Sequence, residues 1–459
     1  MKRLLAVLLV LALCMGCASA EESGVEKYDS LPEIFKISVE ENERKIEEGK
    51  AYVYKEYVTT TNSQVNGELR EIVDGYDEEI TPTLQMDPRK KGSKGSTLNI
   101  DTVYYRTGTY YVSTLTIARV SFREEQLSTA FTSRTWNLET GERLKLTDLF
   151  PEDSEAWGVL AEGVRTHMNE IFPDEERDSA AIEALCSRES LEEADFTLSG
   201  MELTLHYAAS SVIPGKVTLT HVRFFYPQFE GMMTETGVAA TDNSRWKMVA
   251  VTCDDGPKDY ASSKALENFR KYGVRVTYFT VGKQLDKYGY VLQKQYDQNQ
   301  IFATHTFGHV SGYALKKKSS RLKQLDKSAE WTLKLVGEQA KLFRAPGGTY
   351  PPWVEAGMPL PIIQWSVDTY DYTGKQPKAI FYTFRDKVKE GDIVLCHDTG
   401  KYLHKSIPLW AEYMEERGFM FVTVDELAAA YGVTLEPSVV YWSARPGENS
   451  MDRSNLGKK

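Results

Sequence analysis

Strand–helix alternation over the second half of the 459-residue chain predicts a parallel α/β domain, with an α+β domain ahead of it. Three observations carry this. Short apolar runs of strand length recur at residues 248–253, 274–281, 301–303, 342–343, 362–367, 392–396 and 419–424, with helical patterns between most of them. Repeated βα units within about 190 residues imply a parallel sheet, either doubly wound or closed as a barrel. The polar clusters of this half follow those runs, at the strand ends where α/β folds place their sites. Finally, the length exceeds one ordinary domain, so two domains behind a targeting segment are expected.

Residues 1–20 carry the targeting signal. Lys2 and Arg3 precede an apolar run, residues 4–15, that is too short to span a bilayer as a helix. Two readings of its end compete. Ala18 and Ala20 suit simple cleavage ahead of Glu21, the preferred reading. Gly16-Cys17 is similar to the end of a bacterial lipobox, and a lipidated Cys17 would anchor the protein to the membrane. Either way the mature protein works outside the cytoplasmic membrane, and no later segment is long and apolar enough to span.

Residues 25–230 form the expected α+β domain. Alternating stretches at 51–60, 102–121 and 127–138 read as strands, and so do 196–207 and 216–226. Between them, Trp157, Leu160, Val164 and Met168 stand at helical spacing after Asp153, with Pro151 just ahead. Residues 231–244 mix Gly, Thr, Ala, Asp and Asn without apolar period and read as a linker. The second domain occupies 245–432, and 433–459 reads as a polar tail.

A charged fraction of 26% and a hydrophobic fraction of 41% suit a globular protein with sizeable cores. The net charge of −11 argues against a nucleic-acid binder. Beyond the signal region only Cys186, Cys253 and Cys396 remain, an odd and widely spaced set that reads as buried free thiols rather than a disulfide framework.

Five polar clusters carry the chemistry. They are Thr252-Cys253-Asp254-Asp255-Gly256-Pro257, His305-Thr306-Phe307-Gly308-His309, Arg344-Ala345-Pro346-Gly347-Gly348, Trp365-Ser366-Val367-Asp368-Thr369-Tyr370-Asp371-Tyr372 and Leu395-Cys396-His397-Asp398. One carboxylate and two imidazoles can hold a divalent ion and leave positions for water and substrate. The i, i+4 spacing of His305 and His309 would place both rings on one side of a helical turn. Alone, each cluster is weak; a lone Asp-Asp-Gly-Pro is more often a turn.

In this order, the five resemble the motifs of the NodB-type polysaccharide deacetylases, carbohydrate esterase family 4, across almost the whole second half. The resemblance implies an irregular (β/α)7 barrel and a divalent metal, usually Zn2+, with Co2+ or Ni2+ as alternatives. It implies Asp255, His305 and His309 as metal ligands, Asp254 as general base and Arg344 as its partner. His397 would be the general acid, tuned by Asp371. Gly347 would offer an oxyanion donor, and Leu395 and Tyr372 would line the substrate. Two departures stand out. Cys253 replaces the family's usual Phe, and Tyr372 its usual Trp; neither removes a ligand or a proton-transfer group.

The segment Trp136-Asn137-Leu138-Glu139-Thr140-Gly141-Glu142-Arg143-Leu144 through Phe150 resembles a DUF3298 signature, often preceded by a DUF4163-type region. It also reads as a hairpin turning at Glu139-Thr140-Gly141 before a helix start. Together the two resemblances imply a monomeric, exported enzyme acting on cell-wall polysaccharide. Peptidoglycan amino sugars, N-acetylmuramic acid or N-acetylglucosamine, are the expected substrate; chitin oligomers or another extracellular polysaccharide are the alternative. A glycan- or lysozyme-binding surface protein is the non-enzyme alternative, and the intact Asp255, His305 and His309 speak against it. Lys316, Lys317 and Lys318, with Arg321 and Lys323, read as a solvated helix start or as a basic rim for an anionic polymer.

Overall fold

The computed structural model describes residues 25–46, 51–84, 95–122, 125–172 and 177–445. The signal segment with Cys17 and the end of the tail lie outside them.

The N-terminal half holds two sheets. In the larger, β1 (Ser38–Ile46), β2 (Ala51–Thr59), β3 (Ser96–Thr107), β4 (Tyr111–Phe122), β5 (Glu125–Asn137) and β6 (Arg143–Leu144) lie in chain order. All its pairs are antiparallel except β2–β3, which the helix Ser63–Ile80 joins as a crossover. That helix starts because the Asn62 side chain accepts from the Gln64 and Val65 amides, and it buries Val65, Leu69 and Val73 on one face. The stretch expected as one strand over 102–121 is a hairpin, broken where Gly108 takes a φ of 56°. A second sheet of β7 (Phe196–Leu198), β8 (Glu202–Ala208) and β9 (Leu219–Phe225) packs with the helix Ala156–Ile171, which buries Trp157, Leu160, Val164 and Met168 as their spacing predicts.

The C-terminal half is α/β. Its parallel strands are β10 (Lys247–Asp254), β11 (Val276–Thr280), β12 (Ile301–Thr304), β13 (Ile362–Ile363), β14 (Val367–Asp368), β15 (Ile393–Cys396), β16 (Phe419–Val422) and β17 (Val440–Tyr441). The main path runs β12-β11-β10-β15-β14, with β16 also on β10. Single parallel bridges continue it from Thr304 to Phe343 and on to Ile362. The segment 362–368 thus leads from β13 to β14 and back toward β10 through β15, so the pairings run in a ring interrupted between those two short strands. The run expected at 342–343 is only the bridge at Phe343.

Two boundaries differ from expectation. The segment expected as a linker carries the helix Glu235–Thr241 and the buried Asn243. Asn243 accepts from the Gly108 amide and donates to the Ser199 and Gly200 carbonyls, so it fixes the connecting segment to the N-terminal half. The expected tail supplies β17, paired to β13. One apolar cluster crosses from Phe35, Tyr104 and Trp136 to Trp246, Met248 and Val422. Buried Arg270 pairs with Glu56, and buried Arg275 pairs with Glu202 and Glu426. The three cysteines are free and buried, as expected. Arg321 does not join a basic rim; it turns inward onto the carbonyls of Leu315, Lys316 and Gly357.

Candidate active site

Asp254 ends β10, and its buried carboxylate faces a guanidinium that is wholly enclosed. Arg344 Nη1 donates to Asp254 Oδ1 at 2.7 Å and to Thr252 Oγ1 at 2.8 Å, while Nε and Nη2 donate to the carbonyls of Ile363 and Gln364. Phe279 lies 4.0 Å under the guanidinium. A charge buried this way is tolerable only because each of its three nitrogens finds an acceptor. The same hydrogen bonds fix Asp254 in one orientation. Thr252, Ile363, Gln364 and Phe279 were not singled out from sequence; Thr252 alone carried a signal, as the first residue of the opening cluster.

Asp255 follows in the left-handed region, at a φ of 74°, which swings its carboxylate away from that of Asp254 and toward two imidazoles. His305 follows β12, and its Nδ1 lies 2.9 Å from the Arg344 carbonyl, an acceptor that turns Nε2 inward. His305 Nε2 lies 3.5 Å from Asp255 Oδ1, and His309 Nε2 lies 2.9 Å from it. No helical turn holds the two histidines, contrary to the spacing argument. Thr306 and His309 have φ values of 64° and 54°, and this kinked loop brings the ring centroids to 5.2 Å. Three ligand atoms within 4.8 Å of one another remain. Bonds of about 2.0–2.1 Å in tetrahedral array put neighbouring ligand atoms about 3.4 Å apart, so the observed spacing fits a divalent ion of the zinc, cobalt or nickel kind. The two imidazoles and the His397 charge hold the Asp255 carboxyl down at about 2 against the opposing effect of burial.

On the other side stands His397, just past β15. Its Nδ1 lies 2.8 Å from Asp371 Oδ1, its amide donates to Asp371 Oδ2 at 2.8 Å, and the Tyr372 amide donates to Oδ1 at 3.0 Å. Burial pulls the ring pKa down, but the Asp371 hydrogen bond and charge, helped by Asp254 and Asp255, outweigh it and lift it to about 9. The half-exposed Tyr372 ring meets His397 edge-on at 5.1 Å and donates its hydroxyl to Asp368. Leu395 is buried at the end of β15, in register with Thr252 and Asp368. Gly347 has a φ of 66° and open space where a Cβ would stand, leaving its backbone accessible.

Asp398 was not singled out either. It is buried, neither oxygen has a hydrogen-bond partner among the described residues, and a Cβ on Gly256 would sit 2.5 Å from its Oδ1. Burial pushes it up to about 7, Ser262 acts the other way, and Asp255 raises it further.

A parallel α/β domain thus presents, at its strand ends, one carboxylate and two imidazoles close enough to hold a metal ion, between an Arg-held carboxylate and a carboxylate-held imidazole. Residues 241–357 match the polysaccharide deacetylase family. Over 198 residues the chain is 27% identical to the peptidoglycan-N-acetylglucosamine deacetylase PgdA of Listeria monocytogenes, covering 43% of this chain and 41% of that one. Over 181 residues it is 24% identical to the peptidoglycan-N-acetylmuramic acid deacetylase PdaC of Bacillus subtilis, covering 39% and 38%. The chain therefore spans about two fifths of the length of these relatives. A solved T48 deacetylase with substrate aligns at a TM-score of 0.42 and 28% identity, over 44% of this chain and 100% of that one. The second half is thus similar to polysaccharide deacetylases over these stretches.

Proposed function

We propose that the protein is an exported, metal-dependent N-deacetylase of cell-wall polysaccharide, acting on N-acetylmuramic acid or N-acetylglucosamine of peptidoglycan. The observation that carries the reading is the placement of Asp254–Arg344 and His397–Asp371 on either side of Asp255, His305 and His309. When bound at those three ligands, a divalent ion such as Zn2+ polarises the acetamide carbonyl and lowers the pKa of a water to roughly 7.

Asp254, held in one orientation by Arg344, takes the proton of the attacking water. The Gly347 amide donates to the carbonyl oxygen as it gains charge, a kind of contact typically worth about 3 kcal/mol. His397 keeps Nδ1–H on Asp371 and carries its second proton on Nε2, which it gives to the departing amine nitrogen. Expelling an amine requires that proton, and an imidazolium supplies it near neutral pH. Leu395 packs against the acetyl methyl group, and Tyr372 flanks the sugar ring. The names of the relatives point to peptidoglycan; the N-terminal half, with its DUF3298-like hairpin, agrees with a wall-associated enzyme.

Acetate release by the full chain from intact peptidoglycan and from N-acetylglucosamine oligomers, with and without chelator, tests this. Release from peptidoglycan that stops with chelator and returns with Zn2+ is expected. Release from neither substrate with metal supplied would overturn the reading, and release from the oligomers alone would move it to chitin-type substrates.

A further inference from the structure

A cavity of about 810 Å³ lies between the two halves and shares no residue with the site above. Helix Ala156–Ile171 and β9 form one wall; the start of β12, residues 338–342 and Asp425 form the other. The volume is that of a pocket for a small organic ligand. Its apolar surface includes Phe224 and Phe302. The helix leaves a gap here, because nothing stands within 4 Å of where a Cβ on Gly158 would be.

The polar groups facing the cavity are of both signs and incompletely answered. Arg223 donates through Nε to Asn299, but its buried Nη2 has no protein partner among the described residues. Its Nη1 stands 3.7 Å from Glu338, whose carboxylate is already engaged by the Tyr296 hydroxyl. The Lys341 and Asp425 side chains make no hydrogen bond with a described residue, and Lys341 reaches Asp425 only as a charge at a distance. A buried donor without a partner costs about 1–3 kcal/mol, and native proteins keep few of them. An anion alone would meet the Asp425 carboxylate; a cation alone would leave the buried Arg223 Nη2 unanswered and would meet the charge of the exposed Lys341. A group that carries both charges answers all three.

We infer that this cleft binds a small amphipathic zwitterion of the amino-acid or short-peptide class, with its carboxylate on Arg223 and Lys341, its ammonium on Asp425 and its hydrocarbon against Phe224 and Phe302. The inference stands apart from the deacetylase reading, since neither site uses the other's residues.

The test is equilibrium dialysis of the full chain against phenylalanine and leucine in one arm and a pool of free tripeptides in the other, read by mass spectrometry. The N-acetylated amides of the same compounds, which lack both charges, serve as comparison. Retention of the charged forms with Kd below about 1 mM, and at least tenfold weaker retention of the blocked forms, is expected. Which arm is retained assigns the amino-acid or the peptide class. Gly158→Phe fills the open space and should abolish retention without lowering the melting temperature. Lys341→Gln, at an exposed position, should weaken it at least fivefold and guards against a misfolded Gly158→Phe. No retention in either arm, equal retention of blocked forms, or wild-type retention in a folded Gly158→Phe would overturn the inference.

Discussion

Replacing Asp371 by Asn removes a charge while keeping the side-chain shape, and the structure sets what that should do. Every neighbour of the Asp371 carboxylate is a donor: His397 Nδ1, the His397 amide and the Tyr372 amide. An Asn must point its own NH2 at one of them, so at least one buried hydrogen bond is lost, at a cost of about 1–3 kcal/mol. The larger effect falls on His397. Lifting its ring from the ordinary 6.5 to about 9 corresponds to about 3 kcal/mol in favour of the charged form. The sign is that of a raised imidazole: the acid is loaded below about 9 and lost as pH rises through that value. A bound dication offsets the share owed to Asp254 and Asp255, so the limb of the metal-loaded enzyme lies at or below 9. Without the Asp371 charge, burial is no longer outweighed and the ring returns toward 6.5 or lower. At pH 8 the protonated fraction then falls about thirtyfold. The assay is kcat against pH from 5 to 10 on a soluble N-acetylated oligosaccharide. Asp371→Asn should move the alkaline limb down by at least one pH unit and leave metal content unchanged. A limb that stays in place while kcat falls would refute the argument that Asp371 keeps His397 charged.

Asp254→Asn should lower kcat by about 10²–10⁴ with metal content near that of the wild type by atomic absorption; loss of metal would mean that Asp254, not Asp255, is the essential carboxylate ligand. His309→Ala removes the most exposed of the three proposed ligands, and the dialysed variant should retain little metal while its thermal unfolding stays close to wild type. Arg275→Met leaves the Glu202 and Glu426 carboxylates buried without their cation, so chemical denaturation should show a loss of about 3–5 kcal/mol. Tyr372→Trp lacks the hydroxyl that donates to Asp368 but keeps the aromatic wall beside His397, so its effect should appear mainly in KM, measured on oligomers of increasing length.

The chemistry-bearing residues were legible because each lies next to a short apolar strand with turn-forming or charged neighbours. Strand ends in an α/β fold converge, and the resemblance of the five clusters, taken in order, to the deacetylase motifs implied that Asp254, His305, Arg344 and His397 would meet. Local period also revealed the buried stripe of helix 156–171. It failed for helix 63–80, where Gly67, Gly75 and many acidic residues surround a stripe only Val65, Leu69 and Val73 wide. Local spacing likewise misread His305 and His309, because a loop with positive φ at Thr306 and His309 can gather two rings as a helix would.

Other features belonged to tertiary structure alone. Composition made residues 231–244 look unstructured, yet Asn243 is buried because its side-chain amide answers the Gly108 amide, 135 residues earlier, and the Ser199 and Gly200 carbonyls. Val440 and Tyr441 became a strand because β13 offered them an open edge. The pairing of Arg275 with Glu202 and Glu426, the isolation of Asp398 and the cleft beside Gly158 depend on which surfaces of the two halves face each other. A sequence reports the periodicity and chemical type of its neighbours, which are local. Burial and partnership between distant residues arise only when the chain closes on itself.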